Sequence, residues 1–185
     1  LIGALLVGAN YAQGLAFGLN CPLIGLHHLE AHLVSPFIGR QFPKDPFLTL
    51  LISGGHTQII LSEGLGKYTI IGESVDDAVG EAFDKTSKIM GLGYPGGPII
   101  EKIAKDANDI VKLPRPMHQS KNANMSFSGL KTATRLAFEA RENTHQTKAN
   151  IAASLQQAIA DVLVAKLNHA ISQTGVSSVI VSGGV

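Results

Sequence analysis

The sequence predicts an α/β fold with mixed sheets, and three observations carry that expectation. β-rich and helical segments alternate along the chain, two strands end in the same Ser-Gly-Gly turn, and one long amphipathic stretch precedes the second of them. A helical bundle would lack the strands, and a sandwich would lack the helices.

Taken in order, residues 1–19 place small and apolar side chains at helical spacing, with enough Gly and Ala for close packing, and read as a buried helix. Gly3, Gly8, Asn10, Gln13 and Gly14 interrupt this segment and no basic flank precedes it, so it reads neither as a signal peptide nor as a membrane span. Residues 22–26 read as a short strand, with Cys21 a small buried residue at its start. Residues 27–38 read as a helix with Pro36 near its end, and the Pro-rich polar stretch 39–46 reads as a hinge between lobes.

The run 47–52 is continuously apolar and bounded by Pro46 and a Gly-Gly turn, as a strand buried on both faces would be. Residues 58–62 and 68–72, joined by a Gly turn at 64–67, complete an antiparallel meander. Helical segments follow at 75–90 and 98–107, separated by a Gly/Pro loop, and 109–126 is polar and irregular. In 149–173, Ile151, Leu155, Ile159, Val162, Leu163, Leu167 and Ile171 form one apolar stripe with Gly175 as its stop. Residues 176–181 return to strand. The chain starts inside an apolar periodic segment, without a capping residue, and stops just after a strand and its Gly-Gly turn. It reads as a fragment.

Hydrophobic residues make up 45% and charged residues 16% of the chain, enough apolar content for a sizeable core and not the composition of a disordered tail. Fifteen basic residues against fourteen acidic ones give a net charge of +1, so composition provides no footprint for a polyanion. The lone Cys21 allows neither an internal disulfide nor a CxxC site, as expected of a reducing, cytoplasmic setting.

Four of the six residues 27–32, HHLEAH, are able to ligate a metal or move a proton. On a helix His28 and His32 lie one turn apart on one face, the spacing by which two imidazoles reach one ion. Glu30 falls on another face, so the segment is not the HExxH of zinc proteases. The residues alone leave two readings open: a metal site, or two histidines sharing a face by accident.

Ser53, Gly54, Gly55, His56 and Thr57 have the chemistry of a phosphate loop, in which glycines admit an anion and amides and hydroxyls donate to it. The other reading is a tight turn. Of the acidic residues Glu73, Asp76, Asp77, Glu81 and Asp84, Asp76 and Asp77 suit the first turn of a helix. Asp84 lies one turn past Gly80, where an absent side chain leaves room for a ligand whose hydroxyls the carboxylate would accept. The loop 93–98 offers bare backbone to a ligand or is simply a turn. Residues 127–132, just after a polar loop with Lys112, Arg115 and Lys121, either present positive charge and donors to a polyanion or carry solvated loop charge.

Together HHLEAH, LISGGHTQ, GESVDDAVGEAFDK, GYPGGP, FSGLKT and VSGGV occur in the order seen in the tRNA threonylcarbamoyladenosine transferases, formerly described as O-sialoglycoprotein endopeptidases, and the resemblance covers essentially all 185 residues. It implies an actin-like and Hsp70-like ATPase (ribonuclease H-like) fold of two lobes, with 1–43 ending the N-terminal lobe and 47–185 forming most of the C-terminal lobe, including a helical insertion at about 75–148. It implies one divalent ion, Fe2+ or Zn2+, on His28, His32 and a later aspartate. It also implies that Leu51, Ile52, Ser53, Gly54 and Gly55 bind a threonylcarbamoyl-adenylate, that Asp84 and Gly97 line its adenosine and ribose, and that the segment from Ser182 to Val185 wraps the nucleotide. No catalytic residue beyond the metal site is assigned.

The implied reaction is attack by the exocyclic amine of the tRNA adenosine beside the anticodon on the carbamoyl carbonyl, releasing AMP. The implied partners are tRNA, threonylcarbamoyl-adenylate or ATP, and other subunits of a cytoplasmic complex, among them an inactive paralogue of the same fold, with no membrane. The first phosphate loop, an asparagine after the last Gly-Gly and the third metal ligand are absent from the sequence, so the fragment alone is expected to hold metal weakly and not to turn over. A metallopeptidase and a non-catalytic subunit of the same fold are the alternatives. The placement of Glu30 disfavours the first, and retention of both histidines disfavours the second.

Overall fold

The computed structural model describes residues 2–185, and the chain divides between Ala31 and His32 into two compact units. In the first, the small and apolar residues form α1 (Ile2–Leu19), while the expected start at Leu1 lies outside the described residues. The helix closes where Asn20 turns left-handed at φ 52° and the Cys21 amide donates to the Ala16 carbonyl at 3.0 Å. Asparagine tolerates that conformation better than most side chains.

Two expectations are corrected in this unit. Helix α1 is not buried: Leu6, Tyr11 and Phe17 are exposed, Phe17 at 92%, and Leu23, Ile24 and Leu26 of the same unit are exposed as well instead of covering them. Residues 22–26 form no strand, and Cys21 is exposed. A strand needs a ladder partner for its amides and carbonyls, and among the described residues none pairs with this segment.

Helix α2 (His28–Val34) begins as the segment predicts and passes into a 3-10 turn, Ser35–Phe37, with Pro36 in its opening turn. The connection to the sheet is irregular but fastened, since Phe37, Phe42 and Phe47 meet edge to face with centroids 5.0, 5.4 and 5.5 Å apart.

Strands β1 (Phe47–Ile52), β2 (Thr57–Gly64) and β3 (Lys67–Glu73) form the expected antiparallel meander. The final strand, β4 (Val179–Gly183), pairs in parallel with β1, giving the order β3-β2-β1-β4 in a mixed four-stranded sheet. Alternation divides β1 between two faces. Leu48 and Leu50 join the main core, whereas Phe47 meets the aromatic cluster, and all of its residues up to Leu51 are buried.

The rest of the core comes from α3 (Val79–Ile89), α4 (Gly96–Ala104), α5 (Ser128–Glu139) and α6 (His145–Thr174). Helix α6 contributes Ile151, Leu155, Ile159, Val162 and Leu163 from the expected stripe. Thr144 caps its start by accepting from the Thr147 amide at 3.1 Å, and Gly175 at φ 72° stops it as predicted.

The irregular stretch before α5 is pinned along α6 by polar side chains. Ser154 Oγ accepts from the Val111 amide at 2.8 Å, Asp161 pairs with Arg115 at 2.8 Å, and Lys166 Nζ donates to Ser120 O, Ser120 Oγ and Asn122 O at 2.6–2.9 Å. Lys166 is buried, which depresses its pKa. No helix among the described residues is long and apolar enough to cross a membrane.

Candidate functional site

The two Ser-Gly-Gly turns end strands that lie side by side. Leu51 is level with Ser182 and Ile52 with Gly183 in the parallel ladder, so both turns emerge at one edge of the sheet. Gly183, at φ 126°, sits so close to the Ile52 carbonyl that a Cβ would fall within 1.9 Å of its oxygen. Only glycine fits there.

The first turn closes on itself. The Ser53 amide donates to the His56 carbonyl at 2.8 Å and the His56 amide to Ser53 Oγ at 2.9 Å, which leaves Gly54 and Gly55 exposed at the tip. Gly80 of α3 lies against this turn, and a Cβ on it would come within 2.7 Å of Gly54 Cα, 3.0 Å of Ser53 O and 3.0 Å of Val185 Cγ2. The missing side chain therefore admits the turn, and Gly80 also lines the cleft beside it.

One turn further along α3, Asp84 Oδ1 accepts from the Gly96 amide at 2.7 Å and so caps the start of α4. Gly96 packs on the α3 backbone: its Cβ would lie 2.6 Å from Phe83 O and 2.7 Å from Asp84 Cα. These contacts enclose a cleft of about 580 Å³ between the two turns and the α3–α4 corner, with Gly54, Asp84, Gly97, Glu101, Gln156 and Gly184 in its wall. That volume suits a small-molecule ligand.

The cleft thus gathers Gly54, Asp84 and Gly97 from the sequence-derived set, and Gly55 stands at the same turn. Leu51 is fully buried within β1, and the Ile52 carbonyl accepts from the Val185 amide at 3.4 Å. Ser53 spends its hydroxyl on its own turn. Sequence reasoning passed over Glu101 and Gln156. Glu101 had a signal, since it lies one helical turn from Gly97; Gln156 had none, because long-range packing of α6 brings it here.

His28 and His32 sit one turn apart on α2, as expected. The His32 carbonyl accepts from Ser182 Oγ at 2.6 Å, which ties the end of α2 to the second Ser-Gly-Gly turn. Two imidazoles would fill two positions of a tetrahedral ion, and among the described residues no group of three His, Cys, Asp or Glu side chains gathers to complete one.

Asp76 and Asp77 do not lie in the first turn of α3, which begins at Val79. Asp76 instead caps α5 from 50 to 52 residues away in sequence. Its carboxylate accepts from the Phe127 amide at 2.8 Å, the Ser128 amide at 3.2 Å, Ser128 Oγ at 2.7 Å and Ser126 Oγ. Partial burial raises its pKa, but these hydrogen bonds to the charged form outweigh that and hold it at about 2 against the usual 3.8. Asp77 and Glu81 both pair with Lys85 at 2.7 Å, raising its pKa. Of the three basic residues named in the polar loop before 127–132, Arg115 is engaged within the fold by Asp161 and the Leu113 carbonyl.

The whole chain, residues 1–185, matches the family described as tRNA N6-adenosine threonylcarbamoyltransferase. Proteins of that name from Herminiimonas arsenicoxydans and Chromobacterium violaceum are each 51% identical to it over 189 residues, covering 100% and 99% of the chain. The one from Bordetella pertussis is 50% identical over 191 residues, covering 100%. The chain spans about 55% of the length of these relatives.

Proposed function

This chain belongs to the tRNA N6-adenosine threonylcarbamoyltransferase family, and we propose on that premise that the full-length protein transfers a threonylcarbamoyl group to N6 of the tRNA adenosine beside the anticodon. The family has the ribonuclease H-like, actin-like ATPase fold, of which this mixed sheet and its helices form part.

One observation carries the reading: two glycine turns on adjacent parallel strands open into a cleft that also holds Asp84 and Gly97. In this proposal the exposed amides of Gly54 and Gly55 approach the phosphate of threonylcarbamoyl-adenylate, where a Cβ would keep an anion away. The free oxygen of Asp84 accepts from a ribose hydroxyl while Gly96 holds the other. Gly97 lets the nucleoside lie against the start of α4.

The two imidazoles of α2 would hold a divalent ion, Fe2+ or Zn2+, together with a ligand from beyond these residues. When bound, that ion supplies Lewis acidity at a phosphate oxygen. The adenosine N6 attacks the carbamoyl carbonyl, the carbonyl–O–phosphate bond breaks, N6 loses a proton and AMP departs with the electron pair. The reading includes a cytoplasmic setting and a complex with other subunits, one of them an inactive paralogue of the same fold.

The test uses the full-length protein with His28→Ala, His32→Ala and the double variant, scoring metal content and threonylcarbamoyl transfer to a tRNA transcript. Loss of both in the double variant is expected. Metal and transfer both at wild-type level would overturn the metal assignment, and a wild-type protein that modifies no tRNA, even with its partner subunits, would overturn the function.

A further inference from the structure

A second cavity, of about 560 Å³, adjoins the cleft and shares Asp84 and Tyr94 with it; Lys85, Lys88, Gly91 and Gly93 complete its wall. The loop between α3 and α4 that carries Tyr94 is held at both ends. Ser87 Oγ donates to the Gly93 carbonyl at 2.7 Å, the Leu92 amide to the Ser87 carbonyl at 2.9 Å and the Gly96 amide to Asp84 at 2.7 Å. On this fixed loop the Tyr94 side chain is 82% exposed. Burial does not explain an aromatic ring displayed by so many backbone constraints.

Charge on the second cavity narrows the occupant. Lys85 is neutralised by Asp77 and Glu81, whereas Lys88 is exposed and pairs with no carboxylate among the described residues. The groove therefore offers a flat π face with the Lys88 ammonium, which is in no ion pair among the described residues, close by and the Asp84 carboxylate in the same wall. That combination is complementary to a nucleotide of a single strand, whose base stacks and whose phosphate is met by a cation. An acidic peptide could use the charge but not the platform.

We propose that Tyr94 is a stacking platform for a base flanking the target adenosine of the RNA substrate, with Lys88 meeting the adjacent phosphate. This deepens the function proposed above and rests on it. The cleft takes the adenylate on one side of Tyr94, and the RNA strand lies along the other. The flanking base then fixes the register of the strand, so that N6 of its neighbour is aimed into the cleft.

The experiment measures binding of an anticodon stem-loop RNA to the full-length protein by fluorescence anisotropy, with AMP affinity measured in parallel. Tyr94→Ala is expected to weaken RNA binding about tenfold or more and AMP binding much less, with Tyr94→Phe near wild type for both. Lys88→Gln is expected to lower the slope of log affinity against log salt by about one phosphate contact. Because both side chains are exposed, the melting temperatures should match wild type.

RNA affinity unchanged in Tyr94→Ala overturns the proposal, as does an equal loss of AMP affinity, which would assign the ring to the adenylate. An unchanged salt slope in Lys88→Gln removes the phosphate contact. Wild-type protein that binds no RNA defeats the underlying function instead, so the two failures are distinguishable.

Discussion

Ser182 Oγ donates to the carbonyl of His32 at 2.6 Å across 150 residues of sequence. The contact fastens the last turn of α2 to the strand-end turn beside β1 and sets where the His32 backbone lies relative to the cleft. Ser182→Ala leaves that carbonyl to water at a cost of about 1 kcal/mol. A urea titration should show the midpoint falling with an unchanged slope. If His32 is a ligand, metal retention by the full-length protein should fall as well.

Gly80→Ala places a methyl 2.7 Å from Gly54 Cα, a backbone atom that cannot rotate away. The Ser53–His56 turn must shift by some tenths of an ångström, with an expected cost of about 1–3 kcal/mol. Isothermal titration with AMP should show affinity falling along with stability, whereas Gly97→Ala, whose Cβ meets nothing within 4 Å, should affect binding alone.

Asp76 stabilises the fold through its charged form. Its folded pKa of about 2 lies below the ordinary 3.8, so its contribution is fully present above about pH 4 and is lost as pH falls through 2. Asp76→Asn is expected to be less stable than wild type by about 1 kcal/mol at pH 7, the usual value of a helix cap. Chemical denaturation between pH 7 and pH 2 should show that gap closing in acid.

Lys166→Met keeps most of the buried stem but removes three hydrogen bonds to the 120–122 loop. Donor loss from a buried ammonium predicts a cost on the order of 2–4 kcal/mol. Hydrogen exchange should locate the loosening in the segment before α5, with the β1 and β2 amides unchanged.

Periodicity and glycine placement determined much of this protein by themselves. The stripe of α6, its stop at Gly175, the span of β1 and the meander that follows are local consequences of side-chain spacing and of φ angles that only glycine adopts freely. The repeated Ser-Gly-Gly was likewise legible as a pair of equivalent strand ends. Spacing also placed His28 and His32 on one helix, since the helical period alone decides that.

Only the tertiary structure decided that the two turns are neighbours, because parallel pairing of β1 with β4 joins residues more than 120 positions apart. It set Gly80 against Gly54 as well as in the wall of the cleft, and turned Asp76 from a first-turn charge into the cap of a helix some fifty residues away. It left α1 exposed and 22–26 without a ladder, where composition had suggested burial and a strand. The physical reason is the same throughout: local sequence fixes which backbone conformations are cheap, whereas the partner of a strand edge, an apolar face or a carboxylate is set by what the rest of the chain brings to it.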